Sequence, residues 1–203
     1  MNFPPEFFDQ AYQAVPGWEI GRPQPALLAL LEEFPPKGRV LEVGCGTGEL
    51  SIAIGERGTA VLGVDIVPAA IAKARRNLAA LPSTPSGPVQ FHVGDARRPT
   101  TLGGPFGAVV DCGFIHLFNE HERAAFFAEL AQVIGAGGRY YLLGFALQGE
   151  YPHAPRPVTD AELRGRFTSQ EGWRILAIRS AGFVSNVRPE PIPSTLACIE
   201  RLP

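Results

Sequence analysis

Short apolar runs alternate with helical segments through the first two thirds of the chain. Apolar runs predict strands over residues 39–43, 59–65, 89–93, 107–111 and 139–145. Helices are predicted over 49–56 and 68–80, and from Asn119 to about residue 134, where the glycine-rich run 135–138 would stop the last of them. Strands and helices that alternate at this spacing form βαβ units, so the pattern predicts a parallel sheet.

The pattern changes after Phe145. A proline-rich loop over 148–158 is followed by the capping box Thr159-Asp-Ala-Glu162 and by two more apolar runs, at 174–178 and 196–200. The connection between these runs contains three prolines and no helical period, whereas a parallel crossover requires a helix. We therefore expect an α/β fold of the Rossmann-like, doubly wound type: a mostly parallel, seven-stranded sheet with an antiparallel C-terminal strand pair.

The first 24 residues differ from the rest because they are rich in aromatic side chains, among them Phe7, Phe8, Tyr12 and Trp18. A helix over 25–34 follows. We expect a single domain over 1–203, divided into an N-terminal arm (1–24) and a Rossmann-like core (25–203). The arm either closes as a lid over a ligand or packs on the edge of the sheet.

Composition excludes several classes of protein. The 203 residues carry a net charge of -2 and only two short basic pairs, so no nucleic-acid partner is expected. Three scattered cysteines without a C-x-x-C pair indicate neither a disulfide framework nor a metal site. The start of the chain lacks a signal-peptide pattern, and no apolar run approaches the roughly 20 residues that span a bilayer. We expect a cytoplasmic protein with no membrane partner, a monomer or else a weak homodimer.

A glycine-rich turn follows the first predicted strand of the sheet. Gly44, Gly46 and Gly48 allow backbone N–H groups to approach a ligand closely, as in dinucleotide-binding folds. Two acids help to decide whether the ligand is a dinucleotide or S-adenosylmethionine. Glu49 stands where the dinucleotide pattern has its third glycine, and Glu42, just before the turn, would repel a pyrophosphate. S-adenosylmethionine has an ammonium group and no phosphate, so these acids favour it.

Two further acids end predicted strands. Asp65 lies 21 residues beyond Gly44, close to the spacing of an acid that binds ribose hydroxyls, and Ile66 after it can lie against adenine. Asp95 and Ala96 can bind the adenine amino group by side chain and backbone. The alternatives are a helix-capping or turn acid for Asp65 and a solvated turn acid for Asp95.

These motifs together resemble class I S-adenosylmethionine-dependent methyltransferases. The resemblance rests on the Gly-rich turn with Glu42 and Cys45, on Asp65, on Asp95-Ala96 and on the glycines at 137–138, and it covers about 39–145. The segment from Trp18 to Pro25 is similar to the thiopurine methyltransferase-like and tellurite-resistance-like branch. That likeness implies that Trp18, Arg22 and Gln24 help to enclose the cofactor and shape the substrate pocket.

The chemistry is expected at the end of the fourth strand, in the run Asp-Cys-Gly-Phe-Ile-His-Leu-Phe at 111–118, because ligands bind at the carboxyl ends of parallel strands. We assign two roles to Asp111, cofactor binding and catalysis. His116 is the candidate general base, or it only positions the substrate if the acceptor is a thiol that ionises readily. Candidate substrate-binding residues are Phe8, Trp18, Phe114, His116, Tyr151 and His153.

The sequence therefore predicts an enzyme that transfers a methyl group from S-adenosylmethionine to a sulfur, oxygen or nitrogen of a small molecule. The aromatic arm favours an apolar or aromatic acceptor. Sequences that resemble nucleic-acid or protein-arginine methyltransferases carry other motifs, which this chain lacks. Two alternatives stay open: a non-catalytic module that binds S-adenosylmethionine, and an NAD-dependent oxidoreductase.

Overall fold

A computed structural model describes residues 4–147 and 155–203. It contains one seven-stranded sheet in the order β3-β2-β1-β4-β5-β7-β6. The strands are β1 (Val40–Val43), β2 (Val61–Asp65), β3 (Val89–Val93), β4 (Phe106–Cys112), β5 (Ile134–Phe145), β6 (Trp173–Phe183) and β7 (Ile192–Arg201). The helices are α1 (Pro5–Ala11), α2 (Pro25–Glu33), α3 (Glu49–Glu56), α4 (Pro68–Ala79), α5 (Glu120–Val133) and α6 (Asp160–Arg166).

The sheet confirms the predicted fold class. Strands β1 to β5 pair in parallel, whereas β7 pairs antiparallel with both β5 and β6. β1 lies between β2 and β4, so chain order reverses at its carboxyl end, the place where open α/β sheets bind ligands. The turn after β1 and the run after β4 therefore meet at one crevice.

Both faces of the sheet are covered, which explains why its central strands are continuous apolar runs. Neighbouring residues of a strand point to opposite faces. Leu41 and Tyr140 thus belong to one apolar core, and Val40 and Tyr141 to the other. All four residues of β1 are buried, whereas the edge strand β3 exposes most of its residues. Among the helices of the described residues, none is both long and apolar enough to cross a membrane.

The sequence led us to expect that the glycines at 135–138 stop a helix, but they do not. Helix α5 ends at Val133 and the chain passes directly into β5, which includes these glycines. A Cβ on Gly138 would lie 2.8 Å from the Gly135 carbonyl oxygen and 3.0 Å from that of Gly107. The glycines there allow backbone segments to approach one another.

Arg123 of α5 joins three segments beneath the crevice. Its guanidinium is buried and donates to the carbonyl oxygens of Ile115, Arg156 and Pro157, at 3.3, 2.7 and 2.9 Å. It also pairs with the Glu162 carboxylate at 2.6 Å. The run after β4 and the segment leading into α6 are thereby held against α5.

We expect the substitution Arg123→Leu to lower the free energy of unfolding by about 3 kcal/mol, because it leaves buried carbonyls and a carboxylate without their partner. Chemical denaturation with urea measures this. The control is Arg164→Leu, which removes an exposed i,i+4 pair with Asp160 and should cost less than about 0.5 kcal/mol. Equal effects of the two substitutions would contradict the structural role of Arg123.

Candidate functional site

A cavity of about 350 Å³ lies at the carboxyl ends of β1, β2 and β4, under the N-terminal arm. We call the part beside the turn after β1 the loop end, and the part lined by Phe114, His116, Phe145 and Phe183 the aromatic end. Of the residues assigned to a site from sequence, thirteen line this cavity: Phe8, Trp18, Arg22, Glu42, Gly44, Cys45, Gly46, Asp65, Ile66, Asp95, Ala96, Phe114 and His116. Tyr151 and His153 lie outside the described residues.

The turn after β1 depends on glycine. Gly44 and Gly46 have φ values of 65° and 53°, which L-residues with side chains rarely adopt. A Cβ on Gly44 would lie 2.7 Å from the Phe114 ring, and one on Gly46 would lie 2.8 Å from the Tyr12 hydroxyl. The glycines therefore allow the Phe114 ring and the Tyr12 hydroxyl to pack closely against the turn.

Asp65 fixes the shape of this turn. Its carboxylate accepts hydrogen bonds from the backbone N–H of Gly46, at 3.0 Å, and of Val67, at 2.9 Å. One side chain thus ties the turn after β1 to the end of β2 and to the start of α4. Asp65 also lines the cavity, so its contacts within the turn are compatible with the expected contact to a ligand.

The loop end collects three buried acids, Glu19, Glu42 and Asp65. Burial raises the pKa of Asp65 and raises that of Glu42 to about 8; the Ser51 hydroxyl donates to Glu42. Burial also raises the pKa of Glu19. Among the described residues, no salt bridge reaches any of these three carboxyls. A cationic ligand at this end would lower the pKa of these carboxyls and favour their ionised form, whereas the negative charge of a pyrophosphate would raise their pKa further.

Sequence analysis missed the contact between the N-terminal arm and this turn. Glu19 accepts hydrogen bonds from the Thr47 hydroxyl and, at 3.3 Å, from the Tyr12 hydroxyl. The Trp18 indole N–H donates in turn to Tyr12 at 3.3 Å. Glu19 directly follows Trp18, a residue to which the sequence had already drawn attention. Only the fold, however, shows that Glu19 contacts Thr47.

The arm is also anchored at its other side. The Gln24 amide exchanges two hydrogen bonds of 2.8 Å with the backbone of Val184, after β6. Asn186 donates to the carbonyl oxygens of Pro16 and Glu19 at 2.9 and 2.7 Å. The arm is therefore held beside the cavity, which Phe7, Phe8, Tyr12 and Trp18 help to line.

The region assigned to adenine has one complication. Ile66, Asp95 and Ala96 line the cavity together. The Asp95 carboxylate, however, already pairs with the Arg97 guanidinium at 2.7 Å, which lowers the pKa of Asp95. A ligand amino group would share that carboxylate with Arg97.

Asp111 requires a correction, because it does not line the cavity. Its buried carboxylate accepts from the N–H groups of Phe114 and Ile115, at 2.8 and 3.1 Å, and from the Tyr140 hydroxyl at 2.8 Å. These hydrogen bonds stabilise the turn that places Phe114 and His116. Gly48 is corrected likewise: it precedes α3, and a Cβ there would collide with Phe91, so it permits packing rather than contact with a ligand.

His116 is placed at the aromatic end by its neighbours. Its ring packs against Phe145 with centroids 4.2 Å apart, and its Nδ1 accepts the Phe145 backbone N–H at 3.3 Å. Burial, with the nearby positive charge of Arg123, lowers the pKa of His116 to about 3. The imidazole is therefore neutral at physiological pH. Phe118 is fully buried in the core and does not line the cavity.

The chain is similar to known proteins in sequence and in fold. A family model described as "Methyltransferase domain" matches residues 40–138. A 2-heptyl-1-hydroxyquinolin-4(1H)-one methyltransferase of Mycobacteroides abscessus is 33% identical over 153 residues, covering 74% of this chain and 66% of that protein. The chain belongs to the class I S-adenosylmethionine-dependent methyltransferases. The resemblance inferred from the motifs is thereby confirmed.

Two solved structures extend the likeness of this methyltransferase chain over its whole fold. One, described as "Conversion of a Disulfide Bond into a Thioacetal Group during Echinomycin Biosynthesis", is 28% identical with a TM-score of 0.81 and covers 97% of this chain and 92% of its own. The other, the magnesium protoporphyrin IX methyltransferase of Synechocystis with bound S-adenosylmethionine, is 21% identical with a TM-score of 0.63, covering 96% and 79%. The chain spans at most 66% of the length of the curated relatives that it matches.

The loop end fits the cofactor of this family. A cofactor with an ammonium and a sulfonium group would bring positive charge to the buried acids, and Gly44 and Gly46 line the same cavity. Glu42 must be ionised to attract an ammonium group, and its proton leaves only as pH rises towards 8.

We therefore expect affinity for S-adenosylhomocysteine to increase between about pH 6 and pH 8, with protons released on binding. Calorimetry in buffers of different ionisation enthalpy measures both quantities. Glu42→Gln should bind more weakly and lose most of this pH dependence. The control, Glu56→Gln at the end of α3, should behave as the wild type. A pH dependence that survives in Glu42→Gln would remove Glu42 from the account.

Proposed function

We propose that this protein transfers the methyl group of S-adenosylmethionine to a sulfur, oxygen or nitrogen atom of a small, apolar or aromatic molecule. The observation that carries the proposal is a single cavity whose loop end is acidic and whose other end is aromatic. The first end suits a cationic cofactor and the second an apolar acceptor. The reaction joins the two ligands, so one continuous cavity is what it requires.

At the loop end, Gly44, Cys45 and Gly46 would border the amino-acid portion of the cofactor, with Glu42 near its ammonium group. Asp65 would accept from the ribose hydroxyls, since its carboxylate oxygens can accept further bonds beside those from the backbone. We further assign Ile66, Asp95 and Ala96 to the adenine. Trp18 and Arg22 belong to the arm, which we propose acts as a lid over residues 44–47. In that position both residues would help to enclose the cofactor.

Bound S-adenosylmethionine supplies a methyl group on a positively charged sulfur. The protein aligns the acceptor with that methyl and excludes water, which would otherwise stabilise the charged reactant more than the transition state. Phe145 and Phe183, with ring centroids 5.3 Å apart, form an apolar wall for this purpose. Phe114 connects that wall to the turn after β1, because its ring occupies the space beside Gly44.

The names of the relatives support a small-molecule acceptor. One is named for a hydroxyquinolinone, and a solved neighbour is described by the conversion of a disulfide bond. The aromatic side chains at that end of the cavity would suit a planar heterocycle or a sulfur compound. An NAD-dependent oxidoreductase is disfavoured by the acids that would face its pyrophosphate.

Three further proposals complete this function. The partner is a small molecule and not a nucleic acid, in agreement with the net charge of -2. Cys45, Cys112 and Cys198 are free thiols, which fits the reducing conditions of the cytoplasm. We also propose that the domain acts as a monomer, since the described parts of the arm and sheet enclose the cavity within one chain.

The function is tested by incubating the protein with S-adenosylmethionine that carries a deuterated methyl group and a panel of thiols, phenols, quinols and N-hydroxy heterocycles. We expect mass spectrometry to find the labelled methyl on one or more acceptors. Calorimetry with S-adenosylhomocysteine runs in parallel. Cofactor binding without transfer to any acceptor would favour the non-catalytic module, and tight binding of NADH with none of S-adenosylhomocysteine would contradict the proposal.

A further inference from the structure

His116 has one ring nitrogen that the fold does not use. Its Nδ1 accepts the Phe145 backbone N–H, so this nitrogen carries no proton. The neutral ring therefore carries its proton on Nε2. Within the described residues Nε2 has no hydrogen-bond partner, although only 5% of the residue is exposed. An N–H donor in the wall of the cavity is thus left for a ligand.

Among residues 4–147 and 155–203, no other side chain that lines the aromatic end offers a place for a substrate proton. The Cys112 thiol also lines the cavity, and burial raises its pKa far above its ordinary value. The pKa of His116 itself is about 3. The carboxyls of Glu42 and Asp65 belong to the loop end. The positive charge of Arg123, from α5, further opposes protonation of His116.

We propose that His116 is a positioning residue that donates from Nε2–H to the acceptor, and that the acceptor enters as an anion that has already lost its proton to solvent. This inference rests on the proposed methyl transfer and specifies its substrate class: acidic thiols, phenols and N-hydroxy compounds. The anion's lone pair forms the new bond to carbon, and the carbon–sulfur bond breaks with its electron pair left on the cofactor sulfur. No proton moves in that step.

Two substitutions separate positioning from structural support. In Gln, the side-chain amide nitrogen stands near the place of Nε2 and donates, but cannot act as a base. In Asn, the side-chain oxygen stands near the place of Nδ1, where it can accept the Phe145 N–H, and nothing replaces Nε2. H116N thus keeps the structural contact, and H116Q keeps the donor.

The experiment uses 4-nitrophenol, 4-nitrothiophenol and phenol as acceptors, which differ in acidity, with the full chain and S-adenosylmethionine. We expect kcat/KM to rise with pH at a midpoint set by each acceptor's own pKa, and phenol to react far more slowly at neutral pH. H116N should lower kcat/KM for the nitro acceptors by about ten- to a hundredfold, and H116Q should be faster than H116N by about tenfold. Thermal melting checks that both variants fold.

A single midpoint shared by the acceptors and lost in H116Q would instead identify His116 as a base and overturn the proposal. Equal rates of H116N and H116Q would also overturn it. If S-adenosylhomocysteine binds and only acceptors that are un-ionised at neutral pH are methylated, the methyltransferase proposal stands and this inference fails. Absence of S-adenosylhomocysteine binding would count against the methyltransferase proposal itself.

Discussion

The hydrogen bonds of Asp65 are the contacts on which the site depends. One carboxylate holds the N–H of Gly46 and the N–H of Val67, so the turn after β1, the end of β2 and the start of α4 are fixed against one another. Because this carboxyl is buried beside Glu42, the same constraint gathers acids with raised pKa values where the chain order of the sheet reverses. The structure is thereby prepared for a ligand that brings positive charge.

The second half of the site is built by a different acid. Asp111 turns inward to hold Phe114 and Ile115, and Tyr140 completes its hydrogen bonding. That arrangement presents Phe114 towards Gly44 and His116 towards Phe145. The two ends of the cavity are therefore shaped by two strand-end carboxylates, one of which borders the ligand space while the other does not.

Much of the fold could be predicted from local patterns, because buried parallel strands are continuous apolar runs and the acids of the turn after β1 have a definite spacing. Sequence could not distinguish Asp111 from Asp65, since whether a strand-end acid faces a ligand or its own turn depends on three-dimensional placement. It also missed Glu19, whose partner Thr47 is 28 residues away, and misread the glycines at 135–138, which serve backbone packing. The low pKa of His116 likewise arises from burial that no local pattern shows.

The central claim is that buried acids and glycines after β1 hold the cationic cofactor of a methyltransferase, with its sulfur directed to the aromatic end. A crystal structure with S-adenosylhomocysteine tests this most directly. The account predicts the ligand's ammonium group beside Glu42, directly or through one water, its ribose on Asp65 and its sulfur facing Phe114 and His116. A ligand bound in the opposite direction, or elsewhere than in this cavity, would contradict the account.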